Sequence, residues 1–410
     1  MSLGSNIISV AYITCMGLML GTLITASNLY GEKKYSEIGA VWRRSIPYSI
    51  LLGSIILIIT FAAEPILLLC GQPPELAKEA AIVIRIYGYG MPIGGLVYVT
   101  SQYFLEGIKR PLPGMCFMLG ANCLNIGLNW ILVYGHLGFE PMGASGSAWG
   151  TTVIRILLAL GIVTYLWCMK DATKFGIRKK WQGTFSHWAE QRRLGYAAGL
   201  SFGIEHVSFV VLFMLAAILG TIQLAAMTIV FNTFAIFFMI AAGIGGATAV
   251  QVGIAWGENN PDKIALFGWL GFALQAIVML IPATLMMTCP LLFVQIYTTD
   301  NELASLAAPL YILGGAALIL DTSQTLWSNA LRGRHDKWFP TVSHFLSYIG
   351  IMIPLAYYLS FTLDRGPKGL FESLLLASMV SVLSLTARFV WLQYRDKKEK
   401  DEKNLTGKIL

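Results

Sequence analysis

Charged side chains are scarce in this 410-residue chain. Asp, Glu, Lys and Arg make up 12% of it, about half the roughly 25% of an ordinary soluble protein. They are also unevenly spread: none occurs from Met1 to Gly31, and none in the 52 residues from His206 to Gly257. A soluble fold cannot bury an uncharged ribbon of that length. Two membrane-spanning helices joined by a tight turn can, each needing about 20 apolar residues. Soluble enzymes, disordered chains and collagen-like chains are thereby excluded. A transmembrane β-barrel is excluded too, because its strands would alternate over segments of about 10 residues. The six cysteines, Cys15, Cys70, Cys116, Cys123, Cys168 and Cys289, stand singly with no CxxC spacing, so neither a disulfide framework nor a zinc site follows. HExxH, GxSxG and P-loop patterns are absent, and no catalytic constellation is visible. With no basic n-region and no small-residue cleavage site near Met1, no cleaved signal peptide is expected.

What the chain has is apolar length. Eleven stretches are long enough to cross a bilayer: 5–30, 45–70, 80–105, 113–135, 143–169, 194–220, 225–256, 264–292, 303–331, 338–362 and 369–394. The expected fold is all-α, a polytopic helical membrane protein. The uncharged ribbon must turn near Gly220, since a single helix of that length would run about 78 Å at 1.5 Å per residue. Alternate loops hold 23 of the 29 Lys and Arg residues and the opposite set holds 3. The positive-inside rule then places the C-terminus in the cytoplasm and the N-terminus, as given, outside, in a cell (inner) membrane. Net charge +7 orients the chain and implies no nucleic acid. The expected organisation is an N-terminal lobe over 1–169, a basic cytoplasmic linker over 170–193, a C-terminal lobe over 194–394 and a charged cytoplasmic tail over 395–410.

An internal repeat supports two lobes. At an offset of 226, Thr22 meets Thr248, Gly31 meets Gly257, Glu32 meets Glu258 and Ile38 meets Ile264. The same offset brings Glu106-Gly107 onto Arg332-Gly333, while Glu75-Leu76-Ala77 meets Glu302-Leu303-Ala304 at 227. Both copies put their basic loops on one side, so the repeat is parallel, with a pseudo-twofold axis along the membrane normal. The second half opens with a helix around Glu205 that has no counterpart after Met1. The expected pattern is five helices plus six, one short of symmetry.

Carboxylates inside the membrane are costly, about 2.5–3.5 kcal/mol for Asp at a helix centre on insertion scales. Two stand out, Glu205 and Asp321. Counted from Arg193 and Arg332, both lie about 17 Å from the inner boundary, so they share one depth in one lobe and are candidates to bind H⁺ or Na⁺. The alternative is a structural role, paired with His206 or Arg388. Glu64 and Arg85 lie near an interface, and Arg155 reads as half of a structural ion pair. His206 and His344 read as packing histidines. Asn122, Asn125 and Asn129 share one helix face. They either line a substrate cavity or bond between helices, and Gln102 and Gln251 leave the same choice open. Gly17, Gly21, Gly243, Gly246 and Gly253 read as sites of close helix packing. The outer loops carry six acids, including Asp300, and form a weakly acidic mouth suited to cations.

The chain resembles the multidrug and toxic compound extrusion (MATE) family, its NorM-like branch best. The residues that carry the likeness are GLMLGTLITASNLYGEKK and GGATAVQVGIAWGENNPDKIA at the two repeat helices, GQPPELAKEA with FLEGIKRPLPGM, LNIGLNWILVYG with GASGSAWGTT, GIEHVSF, and LDTSQTLWSNALRGRHD. The resemblance implies two six-helix lobes and export of bulky, often cationic or amphipathic, compounds against H⁺ or Na⁺. It also implies a first helix that this chain does not show. Glu205 falls on the family's seventh-helix glutamate and Asp321 on its tenth-helix aspartate, both associated with cation binding. The reading is a secondary active antiporter, not an enzyme, with no cofactor beyond the coupling ion, working as a monomer in the lipid bilayer. Asn125, Asn129, Gln102, Gln251 and Asp300 are its candidate substrate pathway. Two alternatives stay open. A lipid-linked precursor flippase of the same superfamily would need several cations facing its cavity. An integral membrane enzyme would need paired His, Asp or Ser groups at an interface.

Overall fold

Turn chemistry sets the helix ends. Pro74, Pro261, Pro290 and Pro367 each occupy the first position of a helix, where the missing N–H is harmless. Asn260 accepts from the Lys263 N–H at 3.2 Å and Asp300 from the Glu302 N–H at 2.9 Å, capping the helices that follow them. The computed structural model describes residues 3–69, 73–180 and 188–406. Cys70, residues 181–187 of the expected linker and residues 407–410 of the expected tail lie outside them.

The helices are α1 (Leu3–Gly31), α2 (Tyr35–Phe61), α3 (Ala63–Leu69), α4 (Pro74–Tyr89), α5 (Leu96–Gly107), α6 (Leu112–Tyr134), α7 (Gly143–Cys168), α8 (Ala189–Leu219), α9 (Thr221–Gly257), α10 (Pro261–Thr288), α11 (Pro290–Tyr297), α12 (Asn301–Gly333), α13 (Trp338–His344), α14 (Ile353–Tyr357) and α15 (Pro367–Thr406). Segments with π-type turns cover Met91–Gly95, Phe345–Met352 and Tyr358–Thr362. Among the described residues ten helices are long and apolar enough to span a membrane, eleven when α4 and Met91–Gly107, bent by 40°, count as one. The chain is a multi-pass helical membrane protein. The expected turn in the uncharged ribbon is a single residue, Gly220, at φ +140°, a backbone conformation closed to residues with a Cβ.

The repeat is written into the backbone. Four non-glycine residues with positive φ, Lys33 and Lys109 in the first half and Asn259 and His335 in the second, match in pairs at an offset of 226. Each closes a helix in the same way. The next residue's N–H reaches back five residues, as from Lys34 to Leu29 at 3.0 Å, Arg110 to Leu105 at 2.8 Å, Asn260 to Ala255 at 3.1 Å and Asp336 to Leu331 at 2.9 Å. The offset changes by one residue across a π turn. It is 227 at Glu75/Glu302 and 226 at Lys109/His335, and Met91–Gly95 lies between these points in the first copy. A π turn takes one residue more than an α turn. Phe345–Met352 in the second copy then precedes the pair Leu137/Asp364, both at positive φ, where the offset is 227 again.

Two compact units divide the chain, Met1–Gly203 and Ile204–Leu410. The boundary falls inside α8. Its first half lies on α1 so closely that a Cβ at Gly17 would stand 2.7 Å from Gly199 Cα, and one at Gly21 would stand 2.2 Å from the Gln191 carbonyl oxygen. Gln191 donates from there to Ser45 Oγ at 2.6 Å and Thr22 Oγ1 at 3.3 Å. Gly243 and Gly246 behave differently from expectation, because a side chain at either would meet nothing within 4 Å. The close approach in α9 falls instead on Gly245, against Asn329, and on Gly253, whose nitrogen a Cβ at Gly333 would approach to 3.3 Å.

Beyond its apolar part α15 is held by charge. Arg334, 1% exposed, pairs with Asp396 at 2.5 Å, and Arg388 pairs with Asp336 at 2.7 Å. Burial pushes the Arg334 guanidinium below its ordinary range, and the Asp396 carboxylate opposes that shift. Asp396→Asn removes the ion-pair partner of a buried cation, which costs about 3–5 kcal/mol. The thermal midpoint of the solubilised protein is expected to fall by several degrees, read by tryptophan fluorescence, with Asp396→Glu recovering part of the loss.

Candidate functional site

Asp321 sits deep in α12 with a fully buried side chain. The neighbouring turns and helices aim their hydroxyls at one of its oxygens. Tyr348, carried on the Phe345–Met352 π turns, donates to Oδ1 at 2.6 Å, and Ser378 of α15 donates to the same atom at 3.2 Å. Gln324, one turn along α12, approaches Oδ1 at 3.5 Å and donates to the Tyr348 hydroxyl oxygen at 2.8 Å. Ser381 donates to the Gln324 carbonyl oxygen at 3.2 Å. Asp321 Oδ2 is buried and, among the described residues, has no hydrogen-bond partner. A carboxylate with one oxygen tethered by donors and the other bare can take a proton on the bare oxygen or offer it to a cation.

Glu205, in the same unit, is partly exposed, with Oε2 3.9 Å from His344 Nδ1. Asp321 and Arg332 are both within its electrostatic reach. The two acids selected from sequence thus lie in one charged neighbourhood. Neither pairs with His206 or Arg388; the arginine is engaged by Asp336. His344, read as a packing histidine, is buried but faces Glu205.

The other candidates are dispersed. In the first unit Asn129 donates to Asn125 at 3.0 Å along α6, while Asn122 is exposed. Gln102 donates to Glu106 at 2.6 Å, on a face so close to α6 that a Cβ at Gly114 would overlap the Gln102 amide. Gln251 is half-buried on α9. Asp300 is exposed and serves as the N-cap of α12. Arg85 and Glu64 form an ion pair at 3.3 Å. Arg155 departs from expectation: among the described residues it has no carboxylate partner. Its guanidinium stacks on Tyr12 and Tyr87.

Sequence reasoning missed Tyr348, Ser378, Gln324 and Ser381. One signal was available, since Asp321 and Gln324, like Ser378 and Ser381, stand three residues apart and so share a helix face.

The MatE family profile matches residues 1–131 and 197–358. A protein named "Probable multidrug resistance protein NorM" from Caulobacter vibrioides is 33% identical over 396 residues, 96% of this chain and 84% of that protein. "Multidrug resistance protein PmpM" from Pseudomonas aeruginosa is 26% identical over 398 residues, 94% of this chain and 82% of that protein. Among solved structures, the eukaryotic MATE transporter AtDTX14 superposes with a TM-score of 0.88 at 18% identity, covering 98% of this chain and 89% of that one. An outward-facing multidrug resistance MATE family transporter gives 0.86 at 19% identity, covering 95% and 87%. The likeness to these structures is one of fold. The family match and the NorM-named relative go further: this chain belongs to the MatE family, a family of membrane multidrug efflux transporters and not of enzymes.

Proposed function

We propose that this protein is a secondary active exporter of small organic compounds, cationic or amphipathic, that couples their outward movement to the inward flow of H⁺ or Na⁺ by alternating access. The observation that carries the reading is Asp321, fully buried in an apolar unit with one oxygen held by Tyr348 and Ser378 and the other bare. An acid kept at that cost has a use for its open position. H⁺ would close it directly. Na⁺ would be completed by hydroxyl oxygens and water, since among the described residues no three His, Cys, Asp or Glu side chains converge.

Cation binding drives transport only if it favours one access state over the other. Glu205, partly exposed and in reach of Asp321, is the proposed way in. The two lobes are proposed to rock as bodies between the access states, with the C-terminus cytoplasmic and the N-terminus as given outside, as the 23-to-3 split of basic residues supports. The coupling ion is a co-substrate, and no resident cofactor is needed. The flippase alternative is weakened because two of the three basic residues first placed inside the spans, Arg85 and Arg388, are taken up by Glu64 and Asp336.

The test is dye movement in proteoliposomes holding the 410-residue chain and loaded with a cationic rhodamine. An imposed proton or sodium gradient is expected to accelerate dye flux above that of protein-free vesicles. Flux indifferent to both gradients would overturn the coupling.

A further inference from the structure

Arg155 is an intramembrane cation, and such a charge is costly without a counter-charge. Among the described residues it makes no ion pair. Its carbon Cζ lies 5.5 Å from the ring centroid of Tyr12 and 5.9 Å from that of Tyr87, and Nη1 lies 3.9 Å from Met91 Sδ. All four residues belong to the first unit. Aromatic faces stabilise a guanidinium, and among the described residues the one hydrogen bond along its edge is the weak one from Nη1 to Met91 Sδ. That edge is the fork that grips a carboxylate with two parallel hydrogen bonds. The side chain is half-buried, so the edge is not sealed into the core.

The surroundings hold the side chain in place. Arg155 packs where the Met91–Gly95 π turn passes α7, and a Cβ at Gly94 would stand 2.8 Å from Arg155 Cβ. One turn along α7, Thr152 donates to the Ile86 carbonyl at 2.8 Å and holds α4 to α7. The repeat adds a second argument. An offset of 226 carries Gly95 onto Asp321, and the 227 that holds from Leu137/Asp364 onward carries Arg155 onto Val382, one residue past Ser381 of the Asp321 hydrogen-bond network. Where the second unit keeps a buried acid, the same place in the first keeps a glycine and, beside it, a guanidinium framed by aromatic rings.

We propose that Arg155, with Tyr12 and Tyr87, forms a recognition point for a carboxylate on an aromatic or amphipathic organic substrate. The inference rests on the transport reading for its purpose, but its test needs no gradient.

Rhodamine B and its ethyl ester share a cationic chromophore and differ in whether the carboxylate is free. Fluorescence anisotropy of each is measured at equilibrium with the purified 410-residue chain near neutral pH. Arg155→Gln is expected to weaken the free acid about tenfold or more, a loss of about 1.4 kcal/mol, and to leave the ester within about twofold. Arg155→Lys keeps the charge without the fork; it is expected to weaken the acid less and the ester not at all. If the Gln variant does not fold, the Lys variant decides. Equal weakening of both dyes, or weakening of neither, overturns the assignment and leaves ion coupling at Asp321 untouched. Loss of gradient-driven flux with the dye difference intact overturns the coupling and leaves Arg155 standing.

Discussion

Asp321→Asn is expected to reduce gradient-driven efflux to the level of protein-free vesicles while the protein folds at least as well as before. The side chain keeps its shape, so Oδ1 still accepts from Tyr348 and Ser378. What disappears is the bare, buried Oδ2, the atom proposed to carry the ion. A neutral amide also removes the cost of holding a carboxylate in an apolar setting, about 2.5–3.5 kcal/mol on insertion scales. The thermal midpoint should therefore hold or rise as transport is lost, a combination that a merely structural aspartate would not give. Glu205→Gln is expected to act in the same direction but less completely, since Glu205 is partly exposed, with His344 Nδ1 3.9 Å from its Oε2. Undiminished cation-driven efflux in the double variant would end the coupling assignment. Equilibrium dye binding, measured alongside, should change little in either variant, because neither acid is asked to hold the dye.

Both acids could be found in the sequence because a charge in an apolar run is conspicuous. The groups around them left only the three-residue spacings as a signal. Tyr348 and Ser378 are unremarkable in membrane helices, where serine commonly turns back to its own helix, as Ser373 does to the Leu370 carbonyl at 2.7 Å. Only the packing of α15 against α12 turns Ser378 outward. Helix spans were legible for the same reason as the acids, through bulk apolarity, yet the π turns were not, since one inserted residue leaves apolarity unchanged. The repeat offset did register it, as a step from 227 to 226 across Met91–Gly95. Arg155 shows the opposite failure: sequence gave the charge its usual explanation, an ion pair, and the structure supplies aromatic rings instead. The glycines failed by face. Composition cannot tell Gly245, which meets Asn329, from Gly243 and Gly246, which meet nothing.

That distinction carries the second large effect, at Gly21. A Cβ there would stand 2.2 Å from the Gln191 carbonyl oxygen and 3.1 Å from the Gly195 nitrogen. Both are backbone atoms, so no flexible side chain can move aside. Gly21→Ala is expected to cost about 1–3 kcal/mol by overpacking, and Gly21→Val to force α8 off α1 and break the Gln191 bonds to Ser45 and Thr22. The consequence reaches past stability because of where α8 leads. Its first half belongs to the first unit, the division falls at Gly203 and Ile204, and Glu205 is the next residue. Displacing the first half of a continuous helix displaces the acid at its middle. Gly21→Val is therefore expected to lose both thermal stability and gradient-driven flux although neither candidate acid is altered. Gly246→Ala is the control: open space surrounds it, and replacing glycine within a helix should stabilise by up to about 1 kcal/mol. If Gly21→Val and Gly246→Ala unfold at the same temperature and transport alike, the α1–α8 seam does not hold Glu205 in place.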